Sequence, residues 1–164
     1  MPAEQIGERV AQLAAEINRD YEDKKPLFIA ILNGSFMFAA DLFKYVTVPS
    51  EISFIKLASY KGTKSTGNVI TAIGLDEKIS GRHIIIVEDI IDTGKTLHQF
   101  LPQLLEQSPA SLKICALLQK PDATVFPIDI AYLGFTIPNK FVLGYGLDYD
   151  GLGRNINGIY RLAE

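Results

Sequence analysis

The run LFIAIL at positions 27–32 is apolar throughout, and HIIIVE at 83–88 is apolar through its middle. A short apolar run with no alternation leaves no face for water, so it fits a strand covered on both sides. Cover of that kind comes from helices packed on the two faces of a largely parallel sheet. The other segments supply the parts. Ile6, Val10, Leu13, Ala14, Ile17 and Tyr21 recur at steps of three and four, one face of an amphipathic helix. FMFAADLFKYV (36–46) has helical spacing as well. EISFIKLASY (51–60), NVITAIGLD (68–76), SLKICALLQK (111–120) and DIAYLGFTI (129–137) read as further strands. Leu97, Phe100, Leu101, Leu104 and Leu105 give a third helix its face, and Pro102 inside it predicts a kink or a late start. The fold class is α/β.

At 164 residues the chain suits a single domain, 1–164. A net charge of -3 argues against a general nucleic-acid binder. No apolar stretch approaches the roughly 20 residues a membrane span needs. The N-terminus MPAEQIGERV lacks the apolar core of a signal peptide, so a cytoplasmic protein with no membrane partner is expected. The one cysteine, Cys115, lies in the apolar run ICALL and reads as core. His83 and His98 do not have the spacing of a paired-histidine metal site.

In open parallel sheets ligands bind outside the carboxyl ends of the strands. There HIIIVE runs into Glu88 and Asp89, then Asp92, then Thr93-Gly94-Lys95-Thr96. A glycine lets several N–H groups face one point, and a helix starting near Lys95 adds unpaired donors, so the turn suits a phosphate. It is not a Walker A loop, whose first glycine would stand where Asp89 stands. The acids and the anion pocket are reconciled by a sugar phosphate. Glu88 and Asp89 would accept from ribose hydroxyls, and Mg²⁺ would sit between the carboxylates and a diphosphate. Alternation along a strand sends Glu88 and Asp89 to opposite faces, so both reach one ligand only if the strand has ended by Glu88.

Four motifs in order carry a resemblance over nearly the whole chain: LNGSF (32–36), SYKGTKSTG (59–67), EDIIDTGKT (88–96), and LLQKP (117–121) with IPNKFVLGYGLDY (137–149). The third resembles the phosphoribosyl pyrophosphate (PRPP) signature of the type I phosphoribosyltransferases, and the full set resembles their 6-oxopurine branch, which acts on hypoxanthine and guanine. The resemblance implies a type I phosphoribosyltransferase fold: a mainly parallel central sheet flanked by helices, a small hood, and a flexible flap. It implies PRPP and a 6-oxopurine base as substrates, with Mg²⁺. Asp92, Thr93, Gly94, Lys95 and Thr96 would hold the 5′-phosphate, and Glu88 and Asp89 would face the ribose. Asp92 would also act as general base at purine N7. Lys120 would meet the 6-oxo group, Phe141 would stack on the purine, and the Val142 backbone would bond its edge. Asn33 and Gly34 belong to the pyrophosphate loop, where a cis peptide at Leu32–Asn33 is expected, and Arg154 would also face the pyrophosphate. Metal ligation would fall to Glu88 and Asp89, and to Asp148 for a second ion. Asp148 would help read the purine as well. Ser59 and Tyr60 would lie on the flap. A homodimer or homotetramer is implied.

Two features depart from the pattern. Many relatives carry a basic residue where Asn33 stands, and few residues precede the first helix. Two other readings compete: a regulator that senses PRPP or nucleotides, and a transferase preferring xanthine. Against the regulator, no helix-turn-helix appendage fits in the chain, and no basic face is evident.

Overall fold

The run 27–32 forms β1 (Leu27–Leu32), buried along its length except at Leu32. The reason lies on either side of it in this computed structural model. Phe28 and Ala30 face a core layer with Ile6, Val10, Leu13 and Ile17 of α1 (Ala3–Asp20) and Phe38 and Leu42 of α2 (Phe36–Tyr45). Leu27, Ile29 and Ile31 face a second layer with Leu97, Phe100 and Leu104 of α3 (Lys95–Leu105). The same alternation divides Ile84 and Ile86 from Ile85 and Val87 in β4 (His83–Ile91), and Ile114 and Ala116 from Cys115 and Leu117 in β5 (Ser111–Gln119). The description covers residues 1–61 and 68–162, with backbone only at 59–61 and 68–72.

The main sheet has six strands in the order β3-β2-β1-β4-β5-β6, completed by β2 (Glu51–Lys61), β3 (Asn68–Ile73) and β6 (Tyr132–Thr136). All neighbours are parallel except β2 and β3. From β1 the chain goes outward to β2, and from β4 it goes the opposite way to β5. The gap between β1 and β4 is therefore a topological switch point, where a crevice opens beyond the carboxyl ends. A separate two-stranded sheet, β7 (Val142–Leu143) with β8 (Tyr160–Arg161), forms the hood. The Met1 ammonium donates to the Ile159 carbonyl at 2.8 Å, which ties the start of the chain to the hood.

Several boundaries differ from expectation. The third strand ends at Ile73, because Gly74 turns the backbone at φ 91. β6 is shorter than the apolar run 129–137 at both ends. Pro102 does not delay α3, which starts at Lys95 and carries the proline inside it. Of the expected flap, Ser59, Tyr60 and Lys61 contribute backbone to β2; their side chains and residues 62–67 lie outside the described residues. Among the described residues no helix is long and apolar enough to cross a membrane.

Candidate active site

The strand does not end by Glu88, the condition set for both acids to reach one ligand. Ile90 and Ile91 return to the ladder opposite Leu118 and Gln119, so the strand runs three residues further. Glu88 and Asp89 nevertheless line one cavity of about 150 Å³, formed by residues 88–97. The local cause is that side chains take over backbone donors. Asp89 N–H donates to Glu88 Oε1 at 3.1 Å, and Ile90 N–H donates to Asp89 Oδ1 at 2.7 Å. Each bond turns a carboxylate back onto the strand's own backbone, and both acids line the cavity. Burial first, and then the neighbouring Asp89 carboxylate, push the Glu88 carboxyl well above the usual carboxylate range. Asp89 is also pushed up, by burial above all, against the opposing pull of its hydrogen bonds and of Arg154.

Beyond the acids the chain turns at Gly94, whose φ of 80 is one that L side chains rarely adopt. A Cβ at Gly94 would also overlap the Phe126 carbonyl. Thr93 holds this turn from both sides: its carbonyl accepts from Val125 N–H at 3.0 Å and Phe126 N–H at 2.9 Å, and its Oγ1 accepts from Lys95 N–H at 3.3 Å. The start of α3 leaves its first-turn N–H groups beside the cavity, the arrangement that receives an anion.

Lys120 follows β5. A lone lysine at a strand end is usually solvated, but here it is buried, with its Nζ 3.0 Å from Asp92 Oδ2. Its N–H donates to the Ile91 carbonyl at 3.0 Å, so the ends of β4 and β5 place the cation directly beside the turn. The side chain of Asp92 is half exposed and open to a ligand.

The expected cis peptide is present at Leu32–Asn33. Gly34 lies against the Asp89 carboxylate, which a Cβ there would overlap. Gly146 of the hood lies against the Gly34 carbonyl with the same lack of room. Arg154 clamps this contact: its Nη1 donates to the Gly146 carbonyl at 2.7 Å, and its Nη2 pairs with Asp148 Oδ1 at 2.9 Å. Asp148 also accepts from Gly151 N–H at 2.7 Å.

The structure therefore brings together Glu88, Asp89, Asp92 to Thr96 and Lys120, with Asn33, Gly34, Arg154 and Asp148 linked to them through Asp89 and Gly146. Phe141 and Val142 stand in the hood, Phe141 half exposed and edge-on to Tyr149 at 5.6 Å. Among the described residues no hydrogen bond or ring contact joins either to Lys120 or Asp92. Asp148 is held by Arg154, apart from the acid pair, and no group of three potential metal ligands forms among the described residues. The contacts that sequence reasoning missed include the pairing of Lys120 with Asp92, the pairing of Arg154 with Asp148, and a bond from the Tyr145 hydroxyl to Asp41. The one available signal for the last was an acid inside the apolar helix FMFAADLFKY.

The model of the phosphoribosyl transferase domain family matches residues 2–150. A hypoxanthine-guanine-xanthine phosphoribosyltransferase of Tritrichomonas foetus is 42% identical over 160 residues, covering 97% of this chain and 87% of the relative. A hypoxanthine-guanine phosphoribosyltransferase of Lactococcus lactis is 46% identical over 154 residues, covering 93% and 84%. Among solved structures, a ternary substrates complex of the Trypanosoma cruzi hypoxanthine phosphoribosyltransferase matches with a TM-score of 0.92 at 35% identity, covering 99% of this chain and 92% of that one. A Bacillus anthracis hypoxanthine-guanine phosphoribosyltransferase matches at 0.88 and 39%, covering 97% and 93%.

Proposed function

The chain belongs to the hypoxanthine-guanine phosphoribosyltransferase family, and from that premise we propose that it serves purine salvage, moving the phosphoribosyl group of PRPP to N9 of hypoxanthine or guanine and yielding IMP or GMP and pyrophosphate. One observation carries the assignment of roles: buried Lys120 paired with Asp92 at the lip of the phosphate turn. A 6-oxopurine presents O6 and N7 as neighbours on one edge. An ammonium beside a carboxylate answers that edge with a donor for O6 and an acceptor for a proton on N7. Adenine carries an amino donor in place of O6, which an ammonium repels.

The transition state gains positive charge on the ribose ring as pyrophosphate departs. Carboxylates near the ring stabilise that charge. Asp92 takes up the N7 proton as the base becomes the nucleophile, and Lys120 stabilises charge at O6. The turn at Thr93 to Thr96 fixes the 5′-phosphate and so aligns C1 with the base. Asn33, Gly34 and Arg154 face the pyrophosphate. Phe141 and Val142 contact the purine from the hood.

Glu88 and Asp89 fit a divalent cation. They are adjacent hard-oxygen donors, Glu88 buried and Asp89 partly buried, so that their charge is disfavoured without a counterion. Two protein carboxylates suit Mg²⁺, which takes one or two of them along with substrate phosphates. Bound there, Mg²⁺ would offset the charge of the diphosphate. Asp148 is the proposed ligand of a second ion. A homodimer or homotetramer belongs to the same proposal. It is supported by Phe36 and Tyr45 exposed on α2 and Phe54 on β2, whereas the apolar face of α1 is used up in the core.

The test is to incubate the protein with PRPP, Mg²⁺ and one base at a time: hypoxanthine, guanine, xanthine, adenine or orotate. IMP and GMP are expected, with little product from adenine or orotate. No nucleotide from any base, with PRPP binding intact, would overturn the reading in favour of a PRPP sensor.

A further inference from the structure

The hood turn contains three successive residues at positive φ: Gly144 at 96, Tyr145 at 50 and Gly146 at 97. Glycine takes such angles freely, but a tyrosine does so only where its surroundings hold it there. The Tyr145 ring is almost fully buried, and its hydroxyl donates to Asp41 Oδ2 at 2.6 Å. The other Asp41 oxygen pairs with Lys44 Nζ at 2.8 Å. Burial, and then the hydrogen bond to Asp41, push the Tyr145 phenol up, so it keeps its proton and remains the donor. Burial also pushes at Asp41, but the bonds from Lys44 and Tyr145 outweigh it and hold Asp41 as a carboxylate.

The position of this bond gives it a consequence. Asp41 lies on α2, which begins at Phe36 directly after the loop Asn33–Ser35. Tyr145 precedes Gly146, the residue packed on the Gly34 carbonyl and clamped by Arg154. One hydrogen bond, spanning 104 residues of sequence, thus joins the two segments that carry Asn33, Gly34, Arg154 and Asp148.

We infer that Asp41 and Tyr145 are positioning residues, a latch that sets the hood against the loop 33–35 and thereby tunes the affinity for the pyrophosphate part of PRPP. The inference rests on the functional reading above and adds a pair that touches no substrate.

Its test compares Tyr145→Phe, Asp41→Ala, Asp41→Asn and the double variant Asp41→Ala/Tyr145→Phe. Tyr145→Phe keeps the ring in the core, so the fold survives the loss of the hydroxyl. Loss of the latch should raise the KM for PRPP, and for pyrophosphate in the reverse direction, by roughly tenfold, the scale of one charge-assisted bond. The hypoxanthine KM and kcat should stay within about twofold. Asp41→Asn, which keeps an acceptor oxygen, should stay closer to wild type than Asp41→Ala. The double variant should be no worse than either single one, because both break the same bond. A pair that only stabilises the fold would lower Tm and leave the PRPP KM where it was, and that result, or additive effects in the double variant, would overturn the inference. PRPP affinity is also read by calorimetry. If the wild-type chain binds PRPP but forms no nucleotide, the functional reading falls while the ratio of affinities still decides the latch.

Discussion

Lys120 and Asp92, the proposed purine-edge donor and general base, lie 3.0 Å apart, and their surroundings differ. The lysine is buried, whereas the side chain of Asp92 is 49% exposed. The carboxylate is therefore open to a ligand, and the ammonium lies within 3.0 Å of it. Asp92→Asn keeps the size and a weak acceptor but loses the base. Turnover should fall by roughly 10²–10⁴ with only a modest loss of PRPP binding, on the scale of general acid–base groups. Lys120→Ala should instead depress use of hypoxanthine and guanine far more than binding of PRPP. Steady-state kinetics on both variants, with PRPP affinity measured directly, separate the two roles. Unchanged turnover in Asp92→Asn removes it as base, and equal losses for purine and PRPP remove Lys120 as the group that selects the 6-oxo edge.

At the scale of elements, the edge of the sheet away from the site has its own tie. Tyr132 at the start of β6 donates to Asp20 Oδ2 at 2.7 Å, joining β6 to the end of α1. That bond is the main reason the Asp20 carboxyl lies below its ordinary value of 3.8. A depressed carboxylate contributes stability that is complete above the unfolded value and is lost as pH falls through the folded one. Asp20 is well exposed, so its contribution is small. Tyr132→Phe should lower Tm by no more than about 2 °C, the shift for a fraction of about 1 kcal/mol in a chain of this size. The gap should hold from about pH 8 to about pH 5 and close below 3.8, where wild-type Asp20 gains its proton. Melting curves across that range check it, and a gap that widens on acidification would refute the assignment. The elements differed in how far they could be read in the sequence. Buried runs such as LFIAIL and the stepped face of α1 carry their structure in their pattern, because burial on two faces or one imposes it. The end of β4 does not. Glu88 and Asp89 look like a stop, yet Ile90 and Ile91 regain the ladder because β5 extends beside them. The burial of Lys120 and the latch between Asp41 and Tyr145 were equally hidden. Each depends on which strand or turn comes to lie alongside, and local periodicity carries no record of that.

For the whole molecule, the strand order decides what the site has to work with. The reversal between β1 and β4 brings the loop 33–35, the acids 88–89, the turn 92–96 and Lys120 to one crevice, and the hood adds Arg154 and Asp148 through Gly146. The crevice is mixed in charge: Glu88, Asp89, Asp92 and Asp148 against Lys95, Lys120 and Arg154. A polyanion such as PRPP meets repulsion from the acids unless a cation comes with it. Binding should therefore be cooperative between PRPP and Mg²⁺, and the cooperation should appear in the melting of the chain as a whole. A ligand at a hundred times its Kd stabilises the native state by about 2.7 kcal/mol, which in a chain of this size raises Tm by about 5–10 °C. PRPP with Mg²⁺ should produce that shift. PRPP with a chelator should produce less than half of it, and Mg²⁺ alone almost none. Were the chelator to leave the PRPP shift intact, Glu88 and Asp89 would have to be neutralised by protons, not by a metal, and their proposed role as ligands would fall. The graded result would tie the acid pair, unfavourable in isolation, to the substrate that makes it useful.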